Sequence, residues 1–177
     1  MRALPYLALA AALFALPAFA DTAPKPKPRP AGPLAIGTFD DWTAATDKEG
    51  GQTICYAFTR ARASTPALPG RGDVVLTVTE RPALRDAVAI TAGYAFPPNA
   101  VGKLTVDASG FDFYTAQRSA FARDGHAVAR AMQHGKQAVM KAPGPKDAEI
   151  TDTFSLRGFG RAYDAVLRHC PAGKKAG

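Results

Sequence analysis

One stretch near the C-terminus decides the fold: residues 152–163, which read DTFSLRGFGRAY. The first half of this stretch is a strand-like run, and a glycine then breaks it. From Phe159 to Cys170, apolar residues recur every three or four positions and form a single stripe along a helix. The stretch therefore predicts a strand followed by a C-terminal amphipathic helix whose stripe packs into the core.

Short strand patterns separated by turn residues fill most of the chain before this stretch. Patterns of period 2 predict strands at residues 53–59, 73–80, 87–96, 103–107, 111–114, 137–141 and 149–156. A weaker helical pattern covers residues 125–134, with Gly135 placed as its C-terminal cap. Regular short strands with turns between them predict a mainly β fold, a β-sandwich with one or two short helices.

The N-terminal residues predict export. Arg2 precedes a compact apolar run that ends in Ala18-Phe19-Ala20, with small residues at both recognition positions of a signal peptidase. We expect residues 1–20 to be a signal peptide, cleaved between Ala20 and Asp21, which places the mature chain in the periplasm or outside a Gram-negative cell. The run is shorter than the roughly 20 residues of a membrane span, so no stable membrane insertion is expected after cleavage.

The mature chain divides by composition into three parts. Residues 21–33 alternate proline with lysine and arginine, a pattern typical of an extended polyproline II linker. Residues 34–171 have the length of a single domain, long enough to bury one core. Residues 172–177 are rich in glycine and lysine and are predicted to be a flexible tail.

The formal net charge of +7 lies mostly outside the predicted domain. Between residues 34 and 170 there are 16 Lys and Arg against 14 Asp and Glu, so the domain itself is nearly neutral. Together with export, this distribution argues against nucleic acid as a partner. The basic linker is either a solvated spacer or a segment that attracts anionic lipids and envelope polymers.

Two cysteines, Cys55 and Cys170, remain in a compartment that favours oxidation. A structural disulfide is the favoured interpretation, and it would tie the C-terminal helix to the first hairpin. A catalytic thiol and a metal ligand are the alternatives, although neither cysteine belongs to a Cys-x-x-Cys motif.

The sequence carries few signs of catalysis. It lacks a Gly-x-Ser-x-Gly elbow, a phosphate-binding glycine loop, a His-Glu-x-x-His motif and an acidic calcium loop. His126, His134 and His169 are scattered, which favours surface histidines over metal ligands. Asp40 and Asp41 could mimic an acid pair, but adjacent strand residues point to opposite faces, so a turn or a cap is favoured. We therefore predict that the protein is not an enzyme and has no catalytic residue, no metal site and no cofactor.

The aromatic residues allow two interpretations. Trp42 follows Phe39 near the first strand, and a lone tryptophan there usually anchors a small core and finds one partner for its indole N–H. Tyr94 and Phe96 share a predicted strand face and are expected to pack with Trp42. An exposed aromatic shelf that stacks on glycans is the alternative, and core packing is favoured.

Several segments together resemble the invasion-associated locus B family of bacterial envelope proteins. Besides residues 152–159, they are Phe39-Asp40-Asp41-Trp42, Cys55-Tyr56-Ala57, Glu80-Arg81-Pro82 and Gly93-Tyr94-Ala95-Phe96. The resemblance covers residues 39–170 and implies an immunoglobulin-like β-sandwich with helical insertions, exported to the envelope. It implies no catalytic residue, and some members in pathogens are linked to entry into host cells.

One position departs from the family pattern. The resemblance implies that many relatives carry a cysteine four residues after the tryptophan, where this chain has Thr46. The family's local bridge therefore cannot form here, and Cys55 is left to pair with Cys170 or to stay unpaired. The predicted function is an interaction module whose partner is an envelope or host protein or a glycan. A host-cell adhesion or invasion accessory factor is the alternative, and an unrecognised periplasmic enzyme is a third hypothesis.

Overall fold

The structure is a computed structural model, and it describes residues 32–172. Within these residues the backbone forms eleven β-strands, two α-helices and a short 3-10 helix at Pro145–Asp147. The strands are β1 (Leu34–Phe39), β2 (Trp42–Glu49), β3 (Gln52–Arg60), β4 (Ala63–Thr65), β5 (Val75–Glu80), β6 (Ala87–Thr91), β7 (Val101–Val106), β8 (Ser109–Ala116), β9 (Ser119–Ala122), β10 (Gln137–Pro143) and β11 (Glu149–Ser155). The helices are α1 (Gly125–His134) and α2 (Phe159–His169). The predicted signal peptide and its cleavage site lie outside the described residues.

The eleven described strands belong to one antiparallel sheet with the order β1-β2-β3-β5-β6-β9-β8-β7-β10-β11-β4. β4 follows β3 along the chain but pairs with β11, far away in that order. Two contacts join the distant strands directly: the Arg62 N–H donates to the Thr153 carbonyl at 2.8 Å, and the Trp42 indole N–H donates to the Ser155 carbonyl at 2.9 Å. The sheet therefore folds back on itself, and the mainly β prediction is confirmed.

The core is one large cluster of buried side chains from both halves of the sheet and from both helices. Trp42 is fully buried and packs against Phe159 of α2, with ring centroids 4.7 Å apart. Phe159 in turn stacks on Tyr163, one helical turn later. Burial of side chains of this size contributes about 1.5–3 kcal/mol each. The predicted apolar stripe of α2 and the predicted core position of Trp42 are confirmed.

The prediction that Tyr94 and Phe96 pack with Trp42 from a strand face is wrong. Strand β6 ends before this segment, and Gly93 takes a φ of 76°, where a Cβ would overlap with the Gly72 carbonyl. The chain therefore leaves the sheet at this glycine. The Tyr94 ring packs 5.0 Å from Phe96 in a second, smaller cluster.

Element boundaries follow the sequence patterns most closely at the helices. α1 has the predicted bounds, and α2 ends at His169, one residue earlier than predicted. The patterns miss β1, β2, β4 and β9; β4 and β9 have only 3 and 4 residues, too few to display a period.

Gly135 ends α1 in an extended conformation, and a Cβ there would overlap with Val106 and Leu156, so packing requires this glycine.

The junction between β11 and α2 depends on another glycine. Gly158 precedes α2 with a φ of 90°, and a Cβ there would overlap with the Phe39 carbonyl. The predicted turn at Asp40 and Asp41 connects β1 to β2 and docks on this junction. Ser155 Oγ donates a hydrogen bond to Asp41 Oδ2 at 2.7 Å. The segment of residues 152–163 therefore also joins the first hairpin to the last helix.

Candidate functional site

Strands β10, β7, β8 and β9 present a row of charged side chains on the face of the sheet opposite to the core. The register places Lys141 opposite Lys103 and Lys103 opposite Asp112. Just after β9, the Arg123 N–H donates to the Asp112 carbonyl at 3.1 Å. Directly opposite residues share a face, with Cβ atoms about 4.5–5.5 Å apart. These four residues therefore form one continuous row, here called the charged row.

A second row runs beside the charged row and is displaced from it by two residues on each strand. Val101 pairs with Tyr114, and Tyr114 pairs with Phe121. Val101 and Tyr114 are 63% and 44% exposed. The Tyr114 ring stacks on Phe121 with centroids 5.4 Å apart, and the Arg123 guanidinium carbon lies 5.8 Å from its centroid. Val101, Tyr114 and Phe121 are here called the aromatic row. Within it, the partly exposed Tyr114 ring is held in place by the Phe121 ring and by the Arg123 guanidinium of the charged row.

A cleft of about 700 Å³ opens on these strands. Tyr114 lies beside the cleft, because it pairs with Val101 and its ring contacts Arg123, and both of these residues line the cleft. The charged row lines it together with Glu149, whose Oε1 lies 3.4 Å from Lys141 Nζ. Its apolar lining includes Val101 and Pro143. Small-molecule sites commonly measure about 300–1,000 Å³, so the cleft has the size of a site for a small ligand or for a short piece of a polymer.

The charges in the charged row are incompletely paired. No described carboxylate lies within ion-pair distance of Lys103 or Arg123, although Asp112 stands between them in the row. Lys103 and Lys141 are like charges at directly opposite positions, an arrangement that destabilises a sheet. The row thus has N–H donors available to a ligand, and Asp112 adds an acceptor among them.

A buried polar cluster lies on the other side of the sheet, close to the helices. Glu80 is fully buried; its Oε1 accepts a hydrogen bond from the Asp86 N–H at 3.1 Å, and its Oε2 lies 2.6 Å from Arg85 Nε. Asp86 accepts a hydrogen bond from the Tyr163 hydroxyl and lies 2.7 Å from His126 Nδ1. Burial, reinforced by Asp86, raises the pKa of Glu80 to about 7. Burial alone would raise the pKa of Asp86 as well, but hydrogen bonds from Tyr163 and His126 hold it below its usual value.

This polar cluster adjoins the disulfide. Cys55 and Cys170 form a bridge across 115 residues, with Cα atoms 5.9 Å apart, a normal separation for a disulfide. Glu80 lies opposite Cys55 in the register, and Arg85 donates to the Cys170 carbonyl at 2.9 Å. Thr46, where relatives are expected to have a cysteine, also lies directly opposite Cys55. With both thiols in the bridge, the catalytic-thiol and metal-ligand alternatives are wrong.

A second buried ionic contact connects the loop after β4 to β11. Two Arg71 nitrogens lie 2.8 and 2.7 Å from the carboxylate oxygens of Asp152, and the two side chains are only 7% and 4% exposed. Ser64 Oγ donates to the same carboxylate at 2.7 Å, and the Arg71 guanidinium lies 5.0 Å from the Tyr94 ring centroid. Because this carboxylate is buried and already accepts hydrogen bonds from Arg71 and Ser64, we assign the contact to the joining of this loop to β11 rather than to ligand binding.

The three histidines do not converge. His126 contacts Asp86, His134 is exposed at the end of α1, and His169 Nδ1 lies 3.0 Å from the Ala165 carbonyl. Between residues 32 and 172, no three or more His, Cys, Asp or Glu side chains are arranged to hold a metal ion. In the same part of the chain, neither helix has the length and apolar character needed to cross a bilayer.

Sequence patterns alone did not single out the residues of the outer face. In the sequence, Lys103 and Asp112 are ordinary positions of two predicted strands, and Lys141 ends a third. Their alternation with buried neighbours is a visible signal for an exposed face. The pairing order, in which β9 and β10 flank β7 and β8, is what brings the side chains of four strands together.

A family model described as Invasion associated locus B (IalB) protein matches residues 42–167. The chain belongs to this family. The match begins at Trp42 and ends within α2, so it includes most of the core and all four strands of the outer-face cleft. The family predicted from short motifs is therefore confirmed.

The fold of this IalB family member is similar to a solved structure. The crystal structure of invasion associated protein b from Bartonella henselae superimposes with a TM-score of 0.55 at 15% sequence identity, covering 77% of this chain and 96% of that chain. At this identity the likeness shows a shared fold. No curated protein matches the chain.

Proposed function

We propose that this IalB family member is an exported, non-enzymatic protein of the Gram-negative envelope that binds a protein or glycan partner through its outer-face cleft. The observation that carries the proposal is the combination of unpaired cations that line one cleft of about 700 Å³ and a partly exposed ring beside it. Membership of an invasion-associated family and the signal-peptide pattern that ends at Ala20 support an envelope location. A disulfide fits the same location, because such bonds persist in oxidising compartments.

The position of the unpaired cations supports a binding role for this face. Exposed cations elsewhere either have a carboxylate partner, as Arg60 and Arg81 do, or lack one among the described carboxylates, as Lys48 does. Lys103 and Arg123 lack such a partner and also line one cleft together. A ligand with acceptor groups would complete their hydrogen bonding.

Site-specific photocrosslinking in intact producing cells tests the proposal. A photoreactive amino acid placed at Tyr114 should give reproducible adducts, whereas the same group at Asp164, an exposed residue on α2, should give few. Adducts at Tyr114 should also decline when Arg123 is replaced by Gln. Equal labelling at both positions, or no labelling at Tyr114, would refute a binding role for this face.

Host-facing adhesion is the second candidate function, since the matched family and the Bartonella relative are both described as invasion associated. The two candidates differ in where the mature chain is found. External protease applied to intact cells should leave a periplasmic module whole and should cleave a surface-exposed factor. Disrupted cells treated in parallel control for intrinsic resistance to the protease.

A further inference from the structure

We infer that the outer-face cleft binds an acidic glycan, with a sugar ring stacked on Tyr114, a carboxylate of the sugar bound by Lys103 and Lys141, and sugar hydroxyl groups at Asp112. This inference rests on the proposed function and deepens it, because it specifies the chemical class of the partner. The argument depends on the arrangement of charges, the exposed ring and the size of the cleft.

The cations select for a ligand that carries negative charge. Three members of the charged row are cations, and two of them, Lys103 and Arg123, have no described carboxylate within ion-pair distance. Lys141 faces Lys103 across the β7–β10 pair, so the sheet keeps two like charges at opposite positions. A bound carboxylate would offset this repulsion and accept charge-assisted hydrogen bonds.

Asp112 argues against a simple inorganic anion as the ligand. Its carboxylate stands between Lys103 and Arg123 in the charged row, and it would repel a small, densely charged ion. The same carboxylate accepts hydrogen bonds from hydroxyl groups. A ligand with both a carboxylate and several hydroxyls satisfies the acceptor and the donors of the row together, and an acidic sugar has this composition.

Tyr114 supplies the third feature of the site. It is 44% exposed, and contacts with Phe121 and Arg123 fix its orientation. The C–H groups on one face of a pyranose ring carry partial positive charge and match the negative face of an aromatic ring. A held ring loses little conformational freedom on binding, which favours affinity.

The shape of the site favours a sugar over a folded protein or a lipid surface. A cleft of about 700 Å³ lies in the range of small-ligand sites and can take a few sugar units. A stable protein interface requires about 800 Å² from each partner, which this cleft does not provide by itself. A membrane surface would contact projecting residues, whereas these charges line a concavity.

Calorimetric titration of the mature protein with trigalacturonate tests the inference. We expect binding that weakens with added salt, since exposed charges are screened within about 10 Å at 0.1 M. Maltotriose has similar rings without carboxylates and should bind at least about tenfold more weakly, as expected when two charge-assisted hydrogen bonds are lost. Polyphosphate and vesicles of phosphatidylglycerol carry negative charge without a sugar ring and serve as further probes.

Matched variants locate the binding on the protein. Tyr114→Ala should weaken trigalacturonate binding about tenfold, whereas Tyr56→Ala should leave it unchanged. Tyr56 lies on the same outer face but four strands, roughly 19 Å, away. Lys103→Gln should weaken binding and reduce its salt dependence, whereas Lys48→Gln, at an exposed lysine on β2, should do neither.

Three results would overturn the inference: no binding of trigalacturonate, equal binding of polyphosphate, or stronger binding of the vesicles. Equal losses from Tyr56→Ala and Tyr114→Ala would also overturn it, because the site would then lie elsewhere. If trigalacturonate fails while crosslinks at Tyr114 identify a protein in cells, the proposed function stands and the glycan inference falls. If neither experiment implicates Tyr114, both fall together.

Discussion

The two faces of this sheet use their polar residues in different ways. On the packed side, Trp42, Asp152 and the Cys55–Cys170 bridge each have a defined partner, and their contacts connect elements that are distant in sequence. On the outer face, Lys103 and Arg123 surround a cleft without a described ionic partner. The difference indicates that the packed side maintains the fold, while the outer face remains available to a ligand. Substitutions on the two faces should therefore separate stability from binding.

Loss of the disulfide should have the largest effect on the packed side. Cys170→Ser opens a loop of 115 residues and should lower the free energy of unfolding by about 4–5 kcal/mol in the chain-entropy limit. Denaturant unfolding of the oxidised protein measures this change. The Cys55→Ser/Cys170→Ser double variant should lose no more than the single variant, because both remove the same bond. Labelled thiols in the unreduced native protein, or a single variant of unchanged stability, would contradict the prediction.

Removal of a buried charge should have the next largest effect. Asp152→Asn leaves Arg71 buried without an ionic partner and should cost about 3–5 kcal/mol of unfolding free energy. Asp73→Asn, which removes the partner of Arg60 in an exposed pair, should cost at most about 1 kcal/mol. Chemical denaturation of both variants provides the comparison. Equal losses would mean that burial does not distinguish the two pairs.

The pH dependence of stability should report on Glu80. Its pKa is raised from 4.5 to about 7 in the fold, so the folded protein holds a proton that the unfolded chain releases in this range. Stability contributed by this group is therefore present below pH 4.5 and falls as the pH rises from 4.5 to about 7, by roughly 3 kcal/mol at most. Asp86, whose pKa is lowered in the fold, affects stability in the opposite direction. Its stabilising contribution is present above pH 3.8 and is lost as the pH falls below that value.

Glu80→Gln isolates the first of these effects. The amide cannot ionise, so the slope of unfolding free energy between pH 4.5 and 7 should flatten in urea titrations at a series of pH values. Glu49→Gln, at an exposed carboxylate paired with Arg81, should keep that slope. An unchanged slope in Glu80→Gln would place the proton on another group of the cluster.

Two glycines near the start of α2 should respond in opposite directions to the same substitution. Gly158→Ala introduces a Cβ at a φ of 90° against the Phe39 carbonyl and should cost about 2 kcal/mol or more. Gly160→Ala places a methyl group within α2. Outside the helix itself, the one described atom within 4 Å of this methyl group is the Gln133 carbonyl oxygen at 4.0 Å, so the change should stabilise by up to about 1 kcal/mol. Thermal unfolding of the two variants tests the pair. Losses in both would show that α2 tolerates no added Cβ at its start.

The packed side could be predicted from the sequence because its signals are local. The apolar spacing from Phe159 onward and the glycine before it are sufficient to predict α2 and its buried stripe. Trp42 is predictable as core because it is a lone tryptophan that follows Phe39 near the first strand. Tyr94 was misplaced because the conformation of Gly93 depends on the approach of the Gly72 carbonyl, a contact between distant residues. Strands β4 and β9 were missed because they are too short to show alternation.

The outer face could not be predicted from the sequence because it exists only through pairing. Lys103, Asp112, Arg123 and Lys141 lie on four segments, and none of these segments has a motif. The order β9-β8-β7-β10 and the register of three strand pairs bring the side chains together. Local patterns reveal which positions of a strand are exposed, but register is set by the turns and the whole core.

The smallest expected effect on stability tests the outer face most directly. Lys103→Gln removes the repulsion from Lys141 and also the attraction to Asp112 on the other neighbouring strand, so the free energy of unfolding should change by no more than a few tenths of a kcal/mol. Lys48→Gln serves as the control, because Lys48 lies opposite Thr53 and donates to its hydroxyl, and this change should give no gain. Repeated urea titrations at low salt can resolve the difference. A gain in stability together with weaker trigalacturonate binding would mean that Lys103 serves the ligand and slightly destabilises the sheet. A loss of stability would mean that Lys103 contributes to the fold, and the contrast between the two faces would then disappear.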